Sequence, residues 1–250
     1  MRIWLGVLVC FFSCSLALAA PKYGPNASPL SKGTNAAYFR ENAAPDFWAL
    51  IPYYVPQPTG WTCSAANLAM ILNAARSKKE LSSNDKLITV ESLIQEYSNP
   101  RYKKAMSGRV TFMADRGVVA NEHLAQVLAA GLERAGIKGE AVRVEVKNVD
   151  LKDKERSRKE FFAALEANEK SSDDFIFFSF MQGALTGDPE GGAHVATVAG
   201  YDSKNKLVLV MDSDREWYEP YWAPRDVLFD SIADPKSDSK HPGWIQAKIK

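Results

Sequence analysis

Cysteine is scarce in this chain: three residues in 250, at positions 10, 14 and 63. Histidine is as rare, at 123, 194 and 241, so the candidates for a catalytic imidazole are few. An excess of either charge is also missing, with 31 Lys+Arg against 30 Asp+Glu. That argues against a nucleic-acid or membrane-surface binder, which needs a basic patch. The one long apolar run, Ile3 to Leu18, is short for a membrane span. No internal repeat is visible.

What that run offers instead is an address. Arg2, an uncharged apolar stretch and Ala17-Leu18-Ala19 make the pattern of a secretory signal peptide over 1–19. Cleavage after Ala19 is expected, since cutting after Ala20 would put Pro21 first. Ser13-Cys14 offers only a weak lipoprotein signal, because Phe11 and Phe12 precede it and apolar residues follow. The protein is therefore expected to be exported, periplasmic or secreted, with no membrane association once the leader is gone. Cys10 and Cys14 leave with the leader, and the basic and acidic residues become equal in number when Arg2 goes. Cys63 is then alone. It cannot form an intramolecular disulfide, and a lone thiol in an oxidising compartment stands out as a reactive one.

Residues 20–46 read as an extended lead-in punctuated by Pro21, Gly24, Pro25, Pro29, Gly33 and Pro45. A single domain over 47–250 follows, of ordinary size. Cys63 to Ala75 has apolar residues around most of a helical surface, with Thr62 as an N-cap candidate. Helices are also expected from Thr89 to Tyr97, from Asn121 to Ala135 with Gly136 ending it, and from Asp150 through Leu165, whose charged start reads as a solvated face. Ala141 to Val146 alternates like a half-buried strand, and Phe175 to Phe180 is continuously apolar like a buried one. Met181 to Gly192 reads as loop. His194 to Tyr201 and Leu207 to Met211 form a hairpin around Asp202–Lys206. An aromatic loop at 217–222, a short helix from Val227 to Ala233 and a strand from Trp244 to Ile249 complete the chain. Helices first and antiparallel strands later make an α+β protein.

Cys63 is placed in the first helical turn, where unpaired N–H groups and the positive dipole end favour a thiolate. The plain alternative is a small buried hydrophobe. A thiolate nucleophile wants a base, an orienter for that base, and oxyanion donors. His194 opens a strand after a Gly-Gly loop, facing where a cleft would be. His123 lies near a helix start and His241 in a polar stretch. Asp212 closes the strand next to His194, so a register pairing those two ends would bring a carboxylate to the imidazole. Read blandly, it is a turn aspartate. Gln57, six residues before Cys63, could add its amide N–H to the Cys63 backbone N–H as an oxyanion hole. Cys, His and Asp in that chain order match the general papain-like plan.

The motifs then resemble one family, the phytochelatin synthases of the papain-like superfamily. Gln57-x5-Cys63-Ser-Ala-Ala-Asn-Leu-Ala-Met-Ile-Leu-Asn-Ala is similar to its nucleophile block, and Gly192-Ala-His194-Val-Ala-Thr-Val-Ala-Gly-Tyr201 to its histidine block. Asp212-Ser-Asp-Arg215 and Trp222-Ala-Pro224 resemble its Asp-x-x-Arg and Trp-x-Pro, while Val110-Thr-Phe112 and Leu124 to Gly136 match more loosely. Departures are a longer chain between Cys63 and His194, Ala193 where the family has Gly, Val195 where it has Phe, and none of the extra cysteines of plant members.

The resemblance implies a papain-like fold, an N-terminal helical half carrying the nucleophile and a C-terminal antiparallel sheet carrying His and Asp. It implies glutathione as substrate: Cys63 attacks the amide between cysteine and glycine, glycine leaves, and a γ-glutamylcysteinyl thioester goes to water or to a second glutathione. His194 would be general acid/base, Asp212 its orienter and Gln57 the oxyanion donor. Arg215 matches a position linked to the second acyl site, with Asp234 as its acidic partner. No cofactor or resident metal is expected, although a metal–glutathione thiolate could be the substrate. The small single-cysteine form is similar to the bacterial members, in which hydrolysis is favoured. Two other readings stay open, a papain-like peptidase or amidase on other peptides and a non-enzymatic binding module. The aromatic loop at 217–222 could serve a homodimer or wall a substrate site.

Overall fold

A computed structural model describes residues 21–32, 36–106, 121–147, 150–188, 191–237 and 242–250. The leader with Cys10 and Cys14, the Val110-Thr-Phe112 match and His241 lie outside the described residues.

Helices and strands follow the chain as β1 (Ser28–Pro29), α1 (Ala36–Glu41), α2 (Pro45–Leu50), a 3-10 turn (Ile51–Tyr53), α3 (Cys63–Arg76), α4 (Val90–Ser92) running into a π turn (Leu93–Tyr97), α5 (Pro100–Met106), α6 (Asn121–Arg134), β2 (Gly139–Glu145), α7 (Leu151–Asn168), β3 (Asp174–Met181), α8 (Gln182–Thr186), β4 (Ala193–Asp202), β5 (Leu207–Asp212), β6 (Tyr221–Pro224), α9 (Arg225–Ile232) and β7 (Gly243–Ile249). The strands form one sheet in the order β1-β6-β5-β4-β3-β7-β2, antiparallel at every pairing.

Helices cover both faces of that sheet, and this explains the continuous apolar run of β3. Phe175 and Phe177 enter the core shared with α2, α3 and α6, whereas Ile176, Phe178 and Phe180 enter the core shared with α7 and α9. Alternation is still present, but both faces are dry. Each such phenylalanine contributes about 1.5–3 kcal/mol by leaving water.

Every residue of α3 is buried. Its polar members are therefore paired, since an unpaired buried polar group costs about 1–3 kcal/mol. Ser64 Oγ bonds Tyr102 Oη at 2.7 Å. Asn73 exchanges two hydrogen bonds with the backbone of Ile88, at 2.8 and 2.9 Å, and Arg76 Nη1 donates to Lys86 O at 2.8 Å.

Four expectations need correction. The lead-in is not extended throughout: it contributes β1 to the sheet edge and carries α1, whose Tyr38 is buried with its hydroxyl on Glu169. Gly24 takes φ +55°, and a Cβ there would lie 1.8 Å from Thr186 O, so only glycine lets this segment close on α8. The loop after Met181 begins with that short helix, ended by Gly187 at φ +78°. The charged start of α7 is not merely solvated, because Arg158 and Lys154 bond Asp230 of α9 at 2.9 and 3.0 Å. Finally, the aromatic loop turns inward: Tyr221 and Trp222 join β6 and enter opposite cores, Tyr218 is buried, and Trp217 alone of the four is exposed.

Candidate active site

The site forms at the end of the sheet where β4 starts and β5 finishes. The register pairs Ala196 with Asp212, so His194, two residues earlier on the same face, is the diagonal neighbour of the carboxylate. His194 Nε2 lies 2.6 Å from Asp212 Oδ1. The ring's second partner is the Cys63 sulfur. With Nε2 committed to Asp212, Nδ1 is the nitrogen that serves the thiol. The three residues that sequence reasoning chose are thus brought together, all of them buried.

Electrostatics organise the trio. Burial alone would pull the His194 pKa down, but the Asp212 carboxylate and the Cys63 sulfur, by charge and by hydrogen bond, raise it well above the ordinary value. Asp212 is the converse case. Its complete burial would raise its pKa, and His194, the Asp214 backbone N–H and the Tyr221 hydroxyl together hold it below the usual carboxylate range. Asp214 N donates to Oδ1 at 2.9 Å, and Tyr221 Oη and Gln182 Nε2 donate to Oδ2 at 3.1 and 3.3 Å. Tyr54 Oη holds the Asp212 backbone carbonyl.

Cys63 opens α3 as expected, but Thr62 does not cap it with its side chain. The hydroxyl turns back to Thr59, accepting from its N–H at 3.1 Å and donating to its carbonyl at 3.0 Å. The first-turn N–H groups are therefore left without a side-chain cap. Gln57 is held beside the site: its N–H donates to Ser213 O at 2.9 Å and its Oε1 accepts from Ser213 Oγ at 3.2 Å.

Arg215 is exposed, with its guanidinium 4.8 Å from the Tyr54 ring centroid, and Tyr54 in turn holds Asp212. Asp234 is not its partner. Among the described residues no ion pair joins the two, and the Asp234 carboxylate accepts from Lys236 N at 2.8 Å in the turn after α9. His123 is buried on α6 with its ring 6.2 Å from that of Tyr102.

Sequence reasoning missed Asn67, Ser213, Tyr54, Gln182 and Tyr221. Asn67 could have been found, since it stands one helical turn after Cys63 and so on its face. Nothing local marks Gln182 or Tyr221, whose contacts depend on strand pairing.

The phytochelatin synthase family model matches residues 27–244. This chain belongs to the phytochelatin synthase family. Phytochelatin synthases lie in the papain-like cysteine peptidase clan, which agrees with the mixed helices and antiparallel sheet and with the order Cys63, His194, Asp212. Membership makes the protein an enzyme of the cysteine acyltransferase or peptidase type. Among solved structures, the Pseudomonas avirulence protein AvrPphB is similar over 80% of this chain and 98% of its own, at 12% identity and a TM-score of 0.35. No curated protein matches the sequence.

Proposed function

We propose that the protein is an exported glutathione γ-glutamylcysteinyltransferase and hydrolase. The hydrogen-bonded run Cys63–His194–Asp212, in a chain of this family, carries the reading. The Cys63 sulfur attacks the carbonyl carbon of the amide between cysteine and glycine, as in nucleophilic catalysis generally. His194 takes the thiol proton and returns it to the departing glycine nitrogen. A γ-glutamylcysteinyl thioester remains on Cys63. Water releases γ-glutamylcysteine, or the amino group of a second glutathione takes the acyl group and lengthens the chain. A metal–glutathione thiolate is an acceptor of the same chemistry. Gln57 and the Cys63 backbone N–H bind the oxyanion, and Arg215 offers a guanidinium for a substrate carboxylate.

The test is glycine release from glutathione, followed by mass spectrometry with and without cadmium or zinc. Wild-type protein releases glycine and Cys63→Ala does not. Full release by Cys63→Ala sinks the assignment. A tripeptide lacking the γ-glutamyl linkage serves as the control: cleavage at an equal rate transfers the protein to general peptidases. Export is tested apart from activity, by sequencing the secreted protein for a start at Ala20.

A further inference from the structure

The polarity of the Gln57 amide is written by a chain of hydrogen bonds that begins inside α3. Asn67 is fully buried, and its Nδ2 has three acceptors for two protons: Cys63 O at 2.9 Å, Val195 O at 3.0 Å and Ser213 Oγ at 3.2 Å. Two of these are backbone carbonyls, which only accept, so the nitrogen end of the amide must face them. Thr197 Oγ1 fixes the other end, donating to Asn67 Oδ1 at 2.6 Å. Asn67 Nδ2 can only donate, so Ser213 Oγ cannot spend its proton there. Its own single proton is turned outward, to Gln57 Oε1 at 3.2 Å. That bond holds the Gln57 amide with its oxygen toward Ser213 and its nitrogen turned away. Its Nε2 has no protein partner among the described residues.

We infer that Asn67 and Ser213 are positioning residues for the oxyanion hole: they orient Gln57 so that its N–H, not its carbonyl, meets the developing negative charge. The inference rests on the proposed acyl-transfer reading and adds to it how the donor is aimed. A Gln amide flipped by 180° would present a carbonyl oxygen to an oxyanion, which is repulsive, so an unordered amide loses much of its value. The same Asn67 also ties Cys63 to the strand of His194, through Val195 O, and to the residue after Asp212.

The experiment is a double-mutant cycle with Ser213→Ala, Gln57→Ala and both together. Removing an oxyanion donor costs about 10²–10³ in kcat, and leaving that donor free to rotate is expected to cost about tenfold. Ser213→Ala therefore lowers kcat about tenfold with KM unchanged, and lowers it no further in the Gln57→Ala background. Ser213→Thr, which keeps the hydroxyl, restores the rate. Alkylation of Cys63 by iodoacetamide needs thiol and imidazole but no oxyanion donor, and proceeds in Ser213→Ala at the wild-type rate. An equal loss in both backgrounds, no loss in either, or slowed alkylation overturns the inference. If wild-type protein releases no glycine from glutathione, the glutathione reading fails by itself, and the cycle is run on 4-nitrophenyl acetate, whose acetyl group Cys63 can accept.

Discussion

His194 Nε2 sits 2.6 Å from Asp212 Oδ1, and that carboxylate is wholly enclosed by protein. Asp212 is thus the principal force keeping a proton on a buried imidazole that desolvation would otherwise strip. Asp212→Asn keeps the shape and removes the charge. The His194 pKa then falls, and the ring holds the proton taken from Cys63 less firmly. Alkylation of Cys63 by iodoacetamide at pH 6 slows, and turnover drops about 10²–10⁴-fold, the range of a displaced acid–base group. An Asp212→Asn protein that alkylates at the wild-type rate would remove Asp212 from this role.

The same pair makes stability depend on pH from two sides. The raised pKa of His194 gives stabilisation that is full below its unfolded value of about 6.5 and fades as pH rises through the higher folded value. The lowered pKa of Asp212 gives stabilisation present above about 3.9 and lost as pH falls through the folded value. Thermal denaturation of wild type and His194→Ala should therefore differ most at about pH 5–6, with the gap narrowing toward alkaline pH. A gap that widens as pH rises through 8 would contradict the pairing.

Asn67 is expected to matter for stability as well as chemistry. Asn67→Leu keeps the branched shape of the side chain but strands Val195 O and the Thr197 hydroxyl, both buried. Each stranded group costs about 1–3 kcal/mol, and for a chain of this size each kcal/mol lowers Tm by about 2–4 °C. A drop of about 4–24 °C in calorimetry is the expected result, and an unchanged Tm would show that water replaces the amide.

The nucleophile, its base and its orienter were legible because each rests on a local signal: a cysteine at a helix start, a histidine opening a strand, an aspartate closing the next strand. The hairpin between His194 and Asp212 is short enough to carry its own register. Asn67 was legible as a residue one turn after Cys63, but its partners were not, since Val195 lies in β4 and Ser213 just after β5, both distant in the chain. The inward turn of Tyr221 and Trp222 was hidden differently. Four aromatics over 217–222 look the same whether they project or fold back, and only pairing of β6 with β5 decides it. The Asp234 error has a similar root, for a spacing cannot say that a helix carries its C-terminal turn elsewhere.

Arg215 and Asp234 should now behave independently. Asp234 is bound to its own turn, while Arg215 stacks on Tyr54 with its guanidinium open to solvent. Asp234→Ala is expected to leave kcat and KM within twofold of wild type. On the proposed reading, in which Arg215 takes a carboxylate of glutathione, Arg215→Ala removes a charge-assisted contact worth about 1.5–3 kcal/mol and raises KM for glutathione by about tenfold or more, with kcat less affected. Steady-state kinetics on the two variants decide it: an equal loss in both would restore the partnership that the structure separates.

Tyr221 controls the acid side of the pH profile. Its hydroxyl donates to Asp212 Oδ2 at 3.1 Å inside the dry core under β6, where no solvent can take its place. Tyr221→Phe removes one oxygen and leaves Gln182, at 3.3 Å, as the remaining donor to Oδ2. Losing a hydrogen bond to the charged form makes the carboxylate harder to ionise, so the folded pKa of Asp212 moves up toward its ordinary value. Activity that depends on ionised Asp212 then fails at a higher pH on the acid side. The alkaline limb reports His194, which Tyr221 does not touch, and it should move little. The kcat/KM profile of Tyr221→Phe, measured from about pH 2.5 to 9, is therefore expected to narrow from the acid side only. A profile that narrows from the alkaline side, or shifts as a whole, would mean that Tyr221 acts on the imidazole and not on the carboxylate beneath it.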